Sequence, residues 1–190
     1  MSNLELEINI SFGWCSLRLR NEDNQVSVKT HWLVDGFTEL VDAVYRLVRG
    51  ASTVAVRWPF EVAGGHFIDF VVDPRGGLHI AVSEFAHGVG SSTAEQIWSA
   101  SRGSQIFSAH VTLAEFIVAF MNSARQLRVI SVDSTGYLNE WRHSFPQSLY
   151  ESLERVATAR FGYKPRTVDE IEGSISPREP SIQAVSPASS

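Results

Sequence analysis

The residues best equipped for chemistry fall close together. The stretch HFIDFVVDPRGGLHIAVSEF, residues 66–85, sets Asp69, His79 and Ser83 in an otherwise apolar run. A carboxylate, an imidazole and a hydroxyl are the parts of an acid/base or nucleophilic centre, provided that they meet in space. Register argues against that. If Pro74, Arg75 and Gly76 form a three-residue hairpin loop with Gly76 at positive φ, Val72 faces Leu78, Phe70 faces Ile80 and Ile68 faces Val82 on a core side. The other side receives Phe67, Asp69 and Val71 from one strand and His79, Ala81 and Ser83 from the next, with Asp69 diagonal to His79. Pairing STVAVRW (52–58) alongside turns Val54, Val56 and Trp58 inward and brings Arg57 near Asp69. An exposed Arg57–Asp69 pair of this kind is worth well under about 1 kcal/mol. The expectation is a hydrated sheet face rather than an Asp/His dyad, with Arg57, Asp69 and His79 as candidate binding residues on it.

Further candidates lie in AHGVGSSTAEQIWSASRGSQ, residues 86–105, which breaks periodicity and is rich in Gly, Ser and Ala. Loops of this length inside a domain are often binding loops; a short helical turn over 93–100 and simple mobility stay open as alternatives. Trp98 is the expected anchor, because an aromatic side chain in a polar loop suits an interface. His87 is a further candidate, and with Glu84 it offers a second acid/base pair should a pocket lie between sheet and helices. GVGSST lacks the GK[ST] ending of a phosphate loop, and no G-x-S-x-G elbow surrounds the serines. DSTG (133–136) has one residue too many for the aspartic-protease triplet and reads as a turn. The histidines at 31, 66, 79, 87, 110 and 143 have no metal-ligand spacing, so neither a metal nor a cofactor is expected. Cys15, the single cysteine, reads as a packed thiol.

The elements that must position these groups follow from periodicity. Leu4, Leu6, Ile8, Ile10, Phe12 and Trp14 alternate with polar residues as in a half-buried strand. The phase flips after Gly13, which marks a bulge or a break between two strands. NEDN (21–24) is a four-residue turn, after which Val26, Val28, Thr30 and Trp32 resume an inward row. DGFTELVDAVYRLVRG predicts an amphipathic helix that starts at Asp35 or Gly36 and stops at Gly50. QIFSAHV (105–111) reads as a last strand. Thr112 and Glu115 form a capping box, stapled by Val111 and Phe116, that opens a second helix with Leu113, Phe116, Ile117, Phe120, Ala124 and Leu127 inward. A third runs over 144–160, with Leu149, Leu153, Val156 and Ala157 inward, Glu151, Glu154 and Arg155 outward, and Gly162 as its stop.

The fold class expected is therefore α+β: one antiparallel sheet of five or six strands, two long helices on one face and a third helix near the C-terminus. Residues 1–164 make a single domain. Residues 165–190 hold four of the seven prolines and no aromatic residue, a composition that reads as a disordered tail. Net charge is −5 without a basic stripe, which speaks against nucleic acid. No apolar run is long enough for a membrane span, and MSNLELEINI does not start like a secretory signal, so a cytoplasmic location is expected.

The order strand, strand, helix, strand, strand, strand, helix, with WPFEVAGGHFIDFVVDPRGGLHIAV after a helix ending in VRG, resembles small actinobacterial proteins and the α+β immunity proteins of bacterial polymorphic toxin systems. The likeness covers residues 4–130. It implies a protein that binds and blocks a cognate toxin, and it transfers no catalytic residue. The resulting expectation is a non-catalytic cytosolic protein-binding module, immunity-like, with a homodimer left open. The alternative is a small-molecule-binding protein or enzyme with a pocket between sheet and helices.

Overall fold

In the computed structural model, residues 4–60, 64–85, 102–132, 135–167 and 170–171 are described. The strands are β1 (Glu5–Ser11), β2 (Trp14–Arg20), β3 (Gln25–His31), β4 (Thr53–Pro59), β5 (Gly65–Val72), β6 (Gly77–Phe85) and β7 (Gln105–Thr112). Helix α1 (Gly36–Val48) separates β3 from β4; α2 (Leu113–Val132), α3 (Thr135–Trp141) and α4 (Gln147–Phe161) follow β7. The class is α+β as expected, but two antiparallel meanders, β1-β2-β3 and β4-β5-β6-β7, replace the single sheet. Phe12 and Gly13 form a two-residue hairpin turn with Ser11 opposite Trp14, so of the two readings of Gly13 it is the break between two strands that holds, not the bulge. Across α1, β3 and β4 touch without a hydrogen-bonded ladder. Alternation reports which face a residue takes, not which strand lies beside it.

The central hairpin has the register that its sequence implies. Phe70 lies opposite Ile80, Val72 opposite Leu78 and Ile68 opposite Val82. Asp73 and Gly77 close the loop through Asp73 N–H to the Gly77 carbonyl (2.8 Å), and Gly76 takes φ 84°. Ile8, Leu17 and Val28 from one sheet and Val56, Phe70 and Ile80 from the other share one core with Phe37, Leu40 and Val44 of α1 and Phe116 and Phe120 of α2. Burying each such side chain contributes about 1.5–3 kcal/mol, which is what holds the two sheets and the helices as one body.

The helix starts follow the local code. Asp35 caps α1 by accepting from Thr38 N–H at 3.2 Å. The Thr112–Glu115 box is reciprocal: the Glu115 carboxylate accepts from Thr112 N–H (2.8 Å), and Thr112 Oγ1 accepts from Glu115 N–H (3.1 Å). Ser123, buried on α2, accepts from Ile8 N–H at 2.7 Å and so occupies part of the open edge of β1.

Four expectations are corrected at the C-terminal end. Thr135 and Gly136, expected to complete a turn, instead open a short helix, α3, whose buried Tyr137 and Trp141 carry it into the core. Helix α4 begins at Gln147, after Pro146, rather than at 144. Glu154 does not face outward; Arg125 (2.9 Å) and Arg128 (3.2 Å) of α2 hold its carboxylate. Packing also continues past residue 164: Arg125 Nε donates to the Arg166 carbonyl at 2.6 Å, and Ile171 is fully buried. The rest of the expected tail, 172–190, lies outside the described residues. Among the described residues, no helix is long and apolar enough to cross a membrane.

Candidate functional site

Asp69, on β5, and His79, on β6, occupy the outer face of the second sheet, as their register requires, but they do not engage each other. Asp69 lies opposite Ala81 and His79 opposite Val71. Arg102 donates to both Asp69 oxygens, Nε at 2.9 Å and Nη2 at 2.8 Å, and its guanidinium lies 3.9 Å over the Phe67 ring. The expected Arg57–Asp69 pair is thus replaced by a two-point clamp from a residue 33 positions downstream. The Nε2 atom of His79 lies 2.9 Å from Ser108 Oγ, and its ring stacks on His110 at 4.5 Å. Burial, followed by the neighbouring His110 charge, lowers the His79 imidazole below its usual value. Each group of the supposed dyad has a different partner.

The hydrated face is also drier than alternation implies. Phe67 is fully buried and Ser83 is 5% exposed, with Phe85 at 4.9 Å from the Phe67 ring. An arginine held by two hydrogen bonds over an aromatic ring excludes water from that ring, so polarity at Asp69 does not signal solvent. Trp98 and His87 lie outside the described residues.

Besides single exposed residues such as Val71 beside His79, a cluster of exposed apolar side chains lies at the end of the molecule where the β1–β2 turn, the ends of β3 and β4 and the start of β5 converge. Phe12 is 84% exposed, Leu33 66%, Phe60 43% and Trp32 40%. The rings form a continuous row: Trp32 to His31 at 5.3 Å, His31 to Trp14 at 4.8 Å, Trp14 to Phe60 at 5.3 Å. Alternation had assigned Phe12 and Trp32 to inward rows, but both stand past the strand ends, where the pleat no longer dictates direction.

Local geometry shows how this end is held. Phe12 (φ 52°) and Gly13 (φ 80°) both take the left-handed conformation of a primed two-residue turn, in which asparagine or glycine is usual at the first position. A phenylalanine there costs about 1–2 kcal/mol. A Cβ on Gly13 would sit 2.8 Å from the Trp32 ring, so only glycine permits the indole to close over the turn. Glu140, at the end of α3, fixes the turn from below: its carboxylate accepts from Phe12 N–H (2.5 Å) and its carbonyl from Gly13 N–H (2.6 Å). Asp35 joins this scaffold to α1, accepting from Thr38 Oγ1 at 2.7 Å and Trp141 Nε1 at 3.1 Å, with His143 Nδ1 at 3.9 Å.

Phe60 also borders a second feature, a cleft of about 430 Å³ lined by Gly64, Gly65, His66, Glu84 and Gly103. Its glycines are steric necessities: a Cβ on Gly65 would lie 2.5 Å from the Trp58 carbonyl oxygen. His66 lies opposite Glu84, and its buried Nδ1 has no hydrogen-bond partner among the described residues. Burial lowers the His66 imidazole below its usual value, with Glu84 opposing in part, which favours the neutral ring. Among the described residues, no group of three or more His, Cys, Asp or Glu could hold a metal ion. Compared with known proteins, the chain matches no family profile, no curated protein and no solved structure.

Sequence reasoning missed both the aromatic row and His66. The signal for the first was SFGW, where Phe-Gly between two out-of-phase alternating stretches marks a two-residue turn and exposes its first residue. No comparable local signal marks His66, since its cleft exists only once β5 and β6 pair.

Proposed function

We propose that the protein is a non-catalytic protein-binding module that contacts its partner through Phe12, on the turn that Trp32 covers, and the aromatic row from Trp32 to Phe60. The observation that carries this is Phe12: a large apolar side chain, 84% exposed, on a strained backbone that a polar residue would suit better. Strain that folding does not repay points to a use outside the fold. Rigid, clustered aromatic side chains supply interface area at low entropic cost and are enriched among binding hot spots. The immunity-like expectation names a toxin as the partner, and the protein encoded by an adjacent reading frame is the one to test.

The test is titration calorimetry of that protein with wild type and with Phe12→Asn and Trp32→Ser variants. Each variant should weaken binding by at least about 2 kcal/mol, roughly thirty-fold, as expected for central hot-spot residues. Unchanged affinity in both variants would remove the row from the interface. A second reading, a small-molecule site, is favoured by the His66 nitrogen beside Glu84 in the glycine-lined cleft, a nitrogen that has no hydrogen-bond partner among the described residues. A ligand contacting that nitrogen would perturb the His66 NMR resonances while leaving those of Trp32 in place.

A further inference from the structure

We infer that the groove between α1 and α4 docks an acidic amphipathic helix of a protein partner. The two helices run parallel: Phe37 and Phe145 meet near their starts at 5.7 Å, and Arg160, near the end of α4, donates to the Val48 carbonyl at the end of α1. Between their C-terminal halves lies an open groove of about 580 Å³. Tyr45, Val48, Val156 and Ala159 give it an apolar floor, and Arg49, Arg155 and Arg160 stand around it.

Charge identifies the occupant. Arg18, Arg20, Arg102, Arg125 and Arg128 each lie between 2.8 and 3.9 Å from a carboxylate oxygen. Arg49, Arg155 and Arg160, like Arg46, Arg75, Arg142 and Arg166, have no carboxylate partner among the described residues, but these three line one apolar groove; Arg155 donates to Ser152 Oγ and Arg160 to a backbone carbonyl. Three guanidinium groups without carboxylates thus surround an apolar floor on a protein whose net charge is −5. That pattern complements a segment with apolar residues on one stripe and Asp or Glu beside it. Shape agrees, because the small Ala159 and Ser152 let a third helix approach ridges already spaced by two parallel helices. A nucleic acid would need a longer basic stripe, and the overall negative charge opposes it.

This surface lies at the far end of α1 from Asp35, about 20 Å along the helix, so it is separate from the aromatic row and stands or falls without it. The full chain is titrated with a fluorescent helical peptide of about four turns, leucine on one stripe and glutamate flanking it. Parallel arms use the same peptide with glutamine for glutamate, a single-stranded oligonucleotide and phosphatidylserine vesicles. The glutamate peptide should bind at least about five-fold more tightly than the glutamine peptide at low salt, and lose that advantage at high salt. An Arg49→Gln/Arg155→Gln variant should lose the same factor with an unchanged circular dichroism spectrum, while Arg75→Gln, an exposed arginine in the β5–β6 loop, should not. Equal binding of the two peptides, full affinity in the arginine variant, or tighter binding of the oligonucleotide or vesicles would overturn the assignment.

Discussion

Replacing Phe12 by asparagine should make the protein more stable while it weakens binding. The left-handed conformation at φ 52° costs a phenylalanine about 1–2 kcal/mol, and asparagine recovers a large part of this through its tolerance of that region. Little burial is lost in exchange. With 84% of the residue exposed, about a sixth of the roughly 1.5–3 kcal/mol for burying a large apolar side chain is forfeited, which is under about 0.5 kcal/mol. The backbone bonds to Glu140 involve the Phe12 and Gly13 N–H groups and survive the change. The net gain is about 0.5–1 kcal/mol, equivalent to about 1–4 °C in Tm for a chain of this size. Urea denaturation at neutral pH, with thermal melts beside it, measures this directly. A Phe12→Asn protein less stable than wild type would show that the ring is held by packing, and the inference from strain to partner binding would fail with it.

The Asp69–Arg102 clamp is only 17–23% exposed at its side chains, so a double-mutant cycle of Asp69→Ala and Arg102→Ala should return a coupling of about 1–2 kcal/mol, above that of an exposed pair; a value near zero would refute the clamp. Burial lowers the His66 and His79 imidazoles below the ordinary 6.5, so the unfolded chain takes up protons first. Their contribution to stability is complete above that value, declines as pH falls through it toward the folded values and then levels off, and His66→Gln/His79→Gln should flatten the urea-midpoint profile between about pH 7.5 and 5.5. Burial pushes the Cys15 thiol well above its usual range, with the Asp35 charge adding to it. Native protein should therefore react with Ellman's reagent only at the rate of unfolding, and prompt reaction would contradict the packed thiol.

What the sequence determined by itself was everything set by neighbours a few residues apart. Period-two alternation with Gly76 settled the β5–β6 register, and Thr112 with Glu115 settled where α2 begins, since both arrangements close through hydrogen bonds across a turn. Helical spacing likewise identified Leu40, Val44, Phe116 and Phe120 as core. The tertiary structure alone decided what depends on distant segments meeting. It brought Arg102 to Asp69, Glu140 to the Phe12 turn and Arg125 to Glu154, turning groups that look solvated in a local reading into clamped ones. It also split the strands into two sheets and gathered Trp14, Trp32 and Phe60 into one row, because a strand's pattern encodes the face of each side chain but not the neighbour that will cover it.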